Sequence, residues 1–294
     1  MSFMTRDLQD GIIPPAPVKK RVAIVGGGPG GIQAMQTLLD RGHDVTLYEA
    51  TGELGGNIIP AVIPEYKQDL RDYLTWMRHT ADQCVERGAK ILLNTPATKE
   101  LLDAEKYDAI IIAVGADPVI PNSIPGIHQD NVMWAPLAEM EENKAKVGQK
   151  VVVIGAGSIG VESALDMHLM GKNVTVVEAL DADAAFIQLR KASSSTAKEY
   201  RDIFQREKLD VRYSTKVKEI TADSVICEDL TTGETVTIPA DTVLTAMGMK
   251  PRTALVDELR HCAPETSVRF VGDCHQPDTV CGAVNEAFQA CLHI

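Results

Sequence analysis

A glycine pattern that occurs twice, at one fixed displacement, limits this chain more than any other feature. Arg21-Val-Ala-Ile-Val25 is an apolar, β-branched run that breaks into Gly26, Gly27, Gly28, Pro29, Gly30 and Gly31 and continues with helical periodicity. Gly26, Gly28 and Gly31 spell G-x-G-x-x-G, the spacing that allows a tight strand-to-helix turn, the approach of backbone to a pyrophosphate and close helix–strand packing. The first N–H groups of the helix, with its dipole, supply positive potential there. The next apolar run, Asp44-Val-Thr-Leu-Tyr-Glu49, ends in an acid at the spacing that suits a ribose 2′-hydroxyl.

Lys150-Val-Val-Val-Ile-Gly-Ala-Gly-Ser-Ile-Gly160 repeats the pattern as Gly155, Gly157 and Gly160, and Asn173-Val-Thr-Val-Val-Glu178 again ends in an acid. From Gly26 to Gly155, and from Glu49 to Glu178, the displacement is the same 129 positions. Glycine turns arising independently would not reproduce the distance to the acid, so the chain contains an internal repeat. Each repeat also closes on a similar strand end, Ala113-Val-Gly115 and Ala246-Met-Gly248. Two α/β nucleotide-binding modules are expected.

The length of 294 residues accommodates two such cores. With 29 basic and 41 acidic residues the net charge is -12, which argues against nucleic acid or an anionic membrane as partner. Met1 to Lys20 has no signal-peptide core, and no run approaches the roughly 18 apolar residues of a membrane span, so a cytoplasmic location is expected. The six cysteines include no C-x-x-C and no metal spacing, which predicts reduced thiols, mostly buried, without a redox dithiol or an iron–sulfur cluster.

Residues 1–20 read as an exposed, proline-containing leader, 66–88 as a helix with an apolar stripe, and Tyr107 to Gly115 as a buried strand. Trp76 and Trp134 read as packing residues. Residues 181–208, with Ser193-Ser-Ser195, read as a polar, mobile surface segment before a helix, and 210–246 as a small antiparallel meander. The closing strand Val268-Arg-Phe-Val-Gly-Asp273 and a helix over about 281–291 come too late for the second module and suit the first.

These motifs in this order, over residues 21–294, resemble the two-dinucleotide-binding-domain flavoproteins related to the pyridine nucleotide–disulfide reductases. The likeness is greatest to the carboxyl-terminal half of the 2,4-dienoyl-CoA reductase, enoate reductase and trimethylamine dehydrogenase group, through Leu54-Gly-Gly-Asn57, Lys150-Val-Val-Val-Ile-Gly155, Val271-Gly-Asp-Cys274 and Ala283-Val-Asn-Glu-Ala287. Ile63-Pro-Glu-Tyr-Lys67 is similar to the small subunit of glutamate synthase.

The resemblance implies two Rossmann-like domains, the NAD(P) domain inserted into the FAD domain: 21–118 with 250–294 for FAD, and 119–249 for NAD(P)H. It assigns to FAD Gly26, Gly28, Pro29, Gly31, Glu49, Gly55, Gly56, Asn57, Ala113 and Gly115, with Gly272 and Asp273 on the ribityl chain. The helix from Cys281 would direct its amino end at the flavin. Gly155, Gly157, Ser158, Ile159, Gly160, Glu178 and Gly248 would hold the nicotinamide dinucleotide, with Glu162 near its amide. No catalytic side chain is implied, since the cofactors carry the hydride transfer.

Glu178 favours NADH because a carboxylate bonds a free 2′-hydroxyl and repels a 2′-phosphate. Arg190 and Lys191 would rescue NADPH if their segment folded back, although a solvated basic pair is the plainer reading. A thioredoxin-reductase-like enzyme fits poorly, because no cysteine lies between Cys84 and Cys227. An amino-terminal flavin barrel of roughly 250 residues cannot fit before Arg21, so the substrate-reducing half is expected elsewhere. Three readings stay open: an electron-input module serving a barrel or iron–sulfur subunit or a diffusible acceptor, with a homodimer allowed; the flavin half of a larger enzyme; and a non-catalytic ADP- or FAD-binding module.

Overall fold

The computed structural model describes residues 13–192, 194–264 and 267–294. They divide into two compact units, one running to Asp117 and resuming over Lys250–Ile294, the other covering Pro118–Met249.

In the first unit five parallel strands lie in the order Val268–Phe270, Ala109–Ile112, Arg21–Val25, Asp44–Tyr48 and Lys90–Leu92. The central strands are apolar at consecutive positions because both faces of the sheet are covered. Val22, Ile24 and Ile111 enter one core with Ile32, Met35 and Leu38 of the Pro29–Asp40 helix, Leu74, Met77 and Ala81 of the Gln68–Glu86 helix, and Ala287 and Cys291 of the Val280–Cys291 helix. Ala23, Val25, Ile110 and Ile112 enter the opposite core with Leu102 and Leu259. The late strand Val268–Phe270 pairs with Ala109–Ile112, so the end of the chain completes the sheet that its beginning starts.

The second unit repeats the plan with Val132–Trp134, Thr242–Thr245, Lys150–Ile154, Asn173–Val177 and Asp210–Arg212 in parallel. Arg21 aligns with Asp44 and Val25 with Tyr48 in one sheet, as Lys150 does with Asn173 and Ile154 with Val177 in the other, so the displacement of 129 holds for strand register as well as for motifs. The helix Ser158–Leu169 covers one face, and the antiparallel strands Thr215–Ile220, Ser224–Asp229 and Thr235–Pro239 cover the other.

Several expectations need correction. The polar stretch 181–208 is two helices, Ala182–Ala192 and Ser194–Glu207. Leu189, Ala197, Tyr200 and Phe204 are buried in the second unit's core, an amphipathic face that the polar composition hides. Ser193 lies outside the described residues, as do residues 1–12 of the expected leader. The meander is shorter than 210–246, because Asp210–Arg212 and Thr242–Thr245 belong to the parallel sheet. Trp76 is 50% exposed, stacked on Tyr73 rather than packed inside, and Trp134 ends a strand before a one-turn helix.

Gly42 turns the chain at φ +91° and delivers His43 into the interior, where it is 3% exposed. Its Nδ1 accepts the Lys20 N–H at 3.1 Å, and its Nε2 has no hydrogen-bond partner among the described residues. Burial, then the charges of Arg41 and Lys20, hold its pKa below the ordinary value, with Asp44 opposing. The folded protein therefore disfavours the imidazolium, whereas the unfolded chain takes up that proton near pH 6.5. This contribution is absent above that pH and costs stability as pH falls below it. Thermal unfolding followed by circular dichroism should give a melting temperature that drops between pH 7 and pH 5. His43→Asn, which keeps an acceptor for Lys20 but does not titrate there, should show a shallower drop; equal slopes would exclude His43 as the cause.

Candidate functional site

Both glycine loops are built alike, and their glycines fall into two kinds. Gly26 has φ +109° and Gly155 φ +105°, and a Cβ would lie 2.3 Å from the Ala113 carbonyl oxygen in the first loop and 2.4 Å from that of Ala246 in the second. At Gly31 and Gly160 a Cβ would lie 1.9 Å from the carbonyl oxygen of Gly26 or Gly155. The fold itself demands glycine at these four positions. Gly28 and Gly157 differ: φ is -80° at one and -72° at the other, both extended, and an added Cβ would meet nothing within 4 Å. Nothing within the chain requires glycine there. The requirement fits a ligand's pyrophosphate lying against the backbone at those points.

Gly28 is the N-cap of the Pro29–Asp40 helix and Gly157 that of the Ser158–Leu169 helix, and neither has a side-chain cap. The first-turn N–H groups, those of Gly30 and Gly31 in one helix and of Ile159 and Gly160 in the other, lack helical acceptors and suit an anion. Pro29 at the first position has no N–H to lose.

Each acid is tied to the middle residue of its own loop. Glu49 Oε2 accepts the Gly27 N–H at 2.7 Å, and its Oε1 accepts the Thr51 N–H at 2.8 Å and the Thr51 hydroxyl at 2.7 Å. Glu178 Oε2 accepts the Ala156 N–H at 2.8 Å and Oε1 the Leu180 N–H at 2.8 Å. A carboxylate has about four acceptor positions, so both can still take a ribose hydroxyl.

Around the first loop the other first-unit candidates gather. The Gly55 N–H donates to the Gly27 carbonyl at 3.0 Å, and a Cβ on Gly56 would lie 3.4 Å from the Gly28 Cα. Asn57 Nδ2 donates to the Ala116 carbonyl at 3.4 Å, beside Ala113 and Gly115. The tail returns here too, since a Cβ on Gly30 would lie 3.5 Å from Val271 Cγ2 and 3.6 Å from the Ala283 carbonyl oxygen. Gly272, at φ +69°, donates its N–H to Glu286 Oε2 at 2.7 Å, and the other oxygen of Glu286 pairs with His275 Nδ1. Burial, backed by the Asp278 charge, raises the Asp273 carboxyl above its ordinary value.

Thr279 caps the Val280–Cys291 helix by accepting the Gly282 N–H at 3.1 Å. Cys281 is exposed in its first turn, with Asn285 Nδ2 3.4 Å from its sulfur. Cys274 is buried, its thiol directed to the carbonyls of Ile112 and Val271, and burial raises its pKa. It is a packing thiol. All six cysteines are free, five of them buried.

In the second unit Glu162 accepts the Tyr200 hydroxyl at 2.7 Å, and Gly248, at φ +95°, accepts the Val119 N–H at 2.9 Å. Arg190 is exposed on its helix, and the side chain of Lys191 lies outside the described residues. The sequence assigned no role to Thr51, Tyr200, Thr279 or Glu286, although Glu286 lies in the Ala283–Ala287 motif. Only Thr279, a threonine just before an apolar helical run, carried a local signal. Among the described residues no cluster could hold a metal ion, and no helix is long and apolar enough to cross a membrane.

Comparison with known proteins identifies the family. A cinnamate reductase of Clostridium sporogenes is 32% identical over 94% of this chain and 39% of its own length. An NADH oxidase of Thermoanaerobacter brockii is 30% identical over 95% of this chain and 42% of its own. The solved structure of a 2-naphthoyl-CoA reductase in complex with 2-naphthoyl-CoA superposes with a TM-score of 0.84 at 30% identity, covering 96% of this chain and 41% of that one. The chain thus spans about two fifths of the length of these relatives. Residues 20–267 match the family described as pyridine nucleotide-disulphide oxidoreductase. The chain belongs to that family of flavin-dependent oxidoreductases, which bind FAD and a pyridine nucleotide.

Proposed function

We propose that the first unit holds FAD, that the second receives NADH, and that the chain passes the electrons to a partner subunit or a diffusible acceptor. The observation that carries this reading is the pair of glycines, Gly28 and Gly157, that the fold does not need and a bound pyrophosphate does. The domains would be 21–118 with 250–294 for FAD, and 119–249 for the nicotinamide dinucleotide. Bound FAD supplies hydride acceptance and onward electron transfer.

The chain's own residues bind and orient. Glu49 takes the adenosine ribose of FAD, the first-turn N–H groups after Gly28 take the pyrophosphate, and Gly272 with Asp273 takes the ribityl chain. The amino end of the Val280–Cys291 helix, including the Cys281 N–H, stabilises negative charge on the reduced ring. In the second unit Gly157, Ser158 and Ile159 meet the pyrophosphate, Glu178 the 2′-hydroxyl of NADH, and Glu162 the nicotinamide amide, which requires it to give up or share the Tyr200 hydroxyl. The length of the relatives supports a further module, on a partner subunit or on the same polypeptide, carrying the acceptor chemistry. Six unpaired thiols support a reducing, cytoplasmic setting.

The purified protein should be yellow and should bleach anaerobically with NADH faster than with NADPH. A colourless protein that binds ADP would overturn the enzyme reading, and faster bleaching by NADPH would overturn the role given to Glu178. Substitution separates the two kinds of glycine. Gly28→Ala should fold with an unchanged far-ultraviolet spectrum but purify without flavin, and Gly157→Ala should stay yellow while losing reduction by NADH. Gly31→Ala forces a carbon into a backbone carbonyl and should cost on the order of 3 kcal/mol or prevent folding. If Gly28→Ala retained flavin at full occupancy, the pyrophosphate does not lie where this reading puts it.

A further inference from the structure

The helix pair Ala182–Ala192 and Ser194–Glu207 encloses, within the second unit, a cavity of about 490 Å³ whose wall includes Ala156, Phe186, Arg201, Lys208 and Tyr213. That volume lies in the range of small-molecule sites. Ala156 belongs to the second glycine loop, and its N–H holds Glu178. Tyr213 marks the same neighbourhood from the other side: burial and then the Glu178 charge raise its hydroxyl's pKa, while Arg201 opposes them. The cavity therefore adjoins the carboxylate assigned to the adenosine ribose.

Its cations are free to act. The guanidinium carbon of Arg201 stands over the Phe186 ring, 4.1 Å from its centroid, and Arg201 makes no ion pair among the described residues. Neighbouring basic groups are engaged, Arg206 with Glu207 and Arg212 with Asp210. Lys208, placed by a left-handed backbone at φ +55°, lines the same wall, and Asp183 is the acid there. Arg190, the cation the sequence pointed to, does not line the cavity.

We infer that Arg201 sets the choice between NADH and NADPH, its guanidinium taking the 2′-phosphate of NADPH and offsetting the repulsion from Glu178. The inference rests on the reading that the second unit binds a pyridine nucleotide. Both oxygens of Glu178 already accept backbone N–H groups, which spreads its charge and leaves the balance to an unpaired cation of the cavity wall. Selectivity for NADH is then present but shallow, and Arg201 is what makes it shallow.

The test uses the full flavin-loaded chain and the adenosine ends of the two cofactors, 5′-AMP and 2′,5′-ADP, with dissociation constants measured by calorimetry, beside flavin reduction by NADH and NADPH. Arg201→Ala should shift the ratio of the two constants at least ten-fold against 2′,5′-ADP, the scale of one charge-assisted hydrogen bond, and shift the NADPH to NADH reduction ratio the same way. Arg201→Lys, which keeps the charge, should retain most of the wild-type ratio. A ratio unchanged within two-fold in Arg201→Ala, with native circular dichroism, would overturn the assignment. Wild-type protein that is yellow but binds neither nucleotide would instead overturn the dinucleotide reading on which it rests.

Discussion

A hydrogen bond from the middle of a glycine loop to a carboxylate at the end of the neighbouring strand is the interaction on which both halves of this chain depend. Gly27 makes it to Glu49 and Ala156 makes it to Glu178, at 2.7 and 2.8 Å. Each bond fixes the loop against the second strand, and so determines where the helix that follows can begin. The loop residue makes this bond through its N–H alone; glycine stands in the first copy, where a Cβ would lie 2.5 Å from Leu54 Cδ2, and a buried alanine in the second. The acid therefore has two duties. It holds the loop in shape, and it keeps enough acceptor capacity for a ribose.

The first unit adds a second requirement, because its sheet is incomplete until the end of the chain arrives. Val268–Phe270 supplies an edge strand beside Ala109–Ile112, and the Val280–Cys291 helix supplies Ala287 and Cys291 to the core under the first helix. Glu286 joins these pieces by taking the Gly272 N–H with one oxygen and His275 with the other. The turn proposed to hold a ribityl chain is thus locked to the helix proposed to face the ring. Displacing either would move both.

How much of this could be read from the sequence follows from the range of the interactions. Strand, glycine turn, helix and acid are specified by neighbours, and the repeat makes each copy evidence for the other, so the strands Arg21–Val25, Asp44–Tyr48, Lys150–Ile154 and Asn173–Val177 are legible in the sequence, while their register comes from the structure. The 182–207 helices were not. Their buried positions, among them Leu189, Ala197, Tyr200 and Phe204, are thinly spread among charges, so the stripe is recognisable only once the sheet it covers is known. The pairings of Glu286 and Tyr200 were invisible for a different reason. Their partners, Gly272 and Glu162, are 14 and 38 positions away, and no local pattern marks the pairing.

The charge balance explains why the two kinds of anion contact are made by different means. A chain with a net charge of -12 cannot attract dinucleotides by its overall field, and the cradles themselves contain no basic side chain: Gly28, Pro29, Gly157, Ser158 and Ile159 meet a pyrophosphate only with backbone and a helix end. Such donors are fixed in place, lose no side-chain entropy and cannot be screened away from their site as a mobile lysine can. They serve any dinucleotide equally, and for that reason cannot distinguish one from another. Discrimination has to come from groups beyond the cradle, a carboxylate that rejects a 2′-phosphate or a cation that accepts one. In the second unit Arg201, over the Phe186 ring, lines the cavity, and Glu178 is bonded to Ala156 of the cavity wall. Because the cation sits on a helix pair that is not part of the glycine loop and its helix, selectivity can change there without disturbing the fold of the cradle.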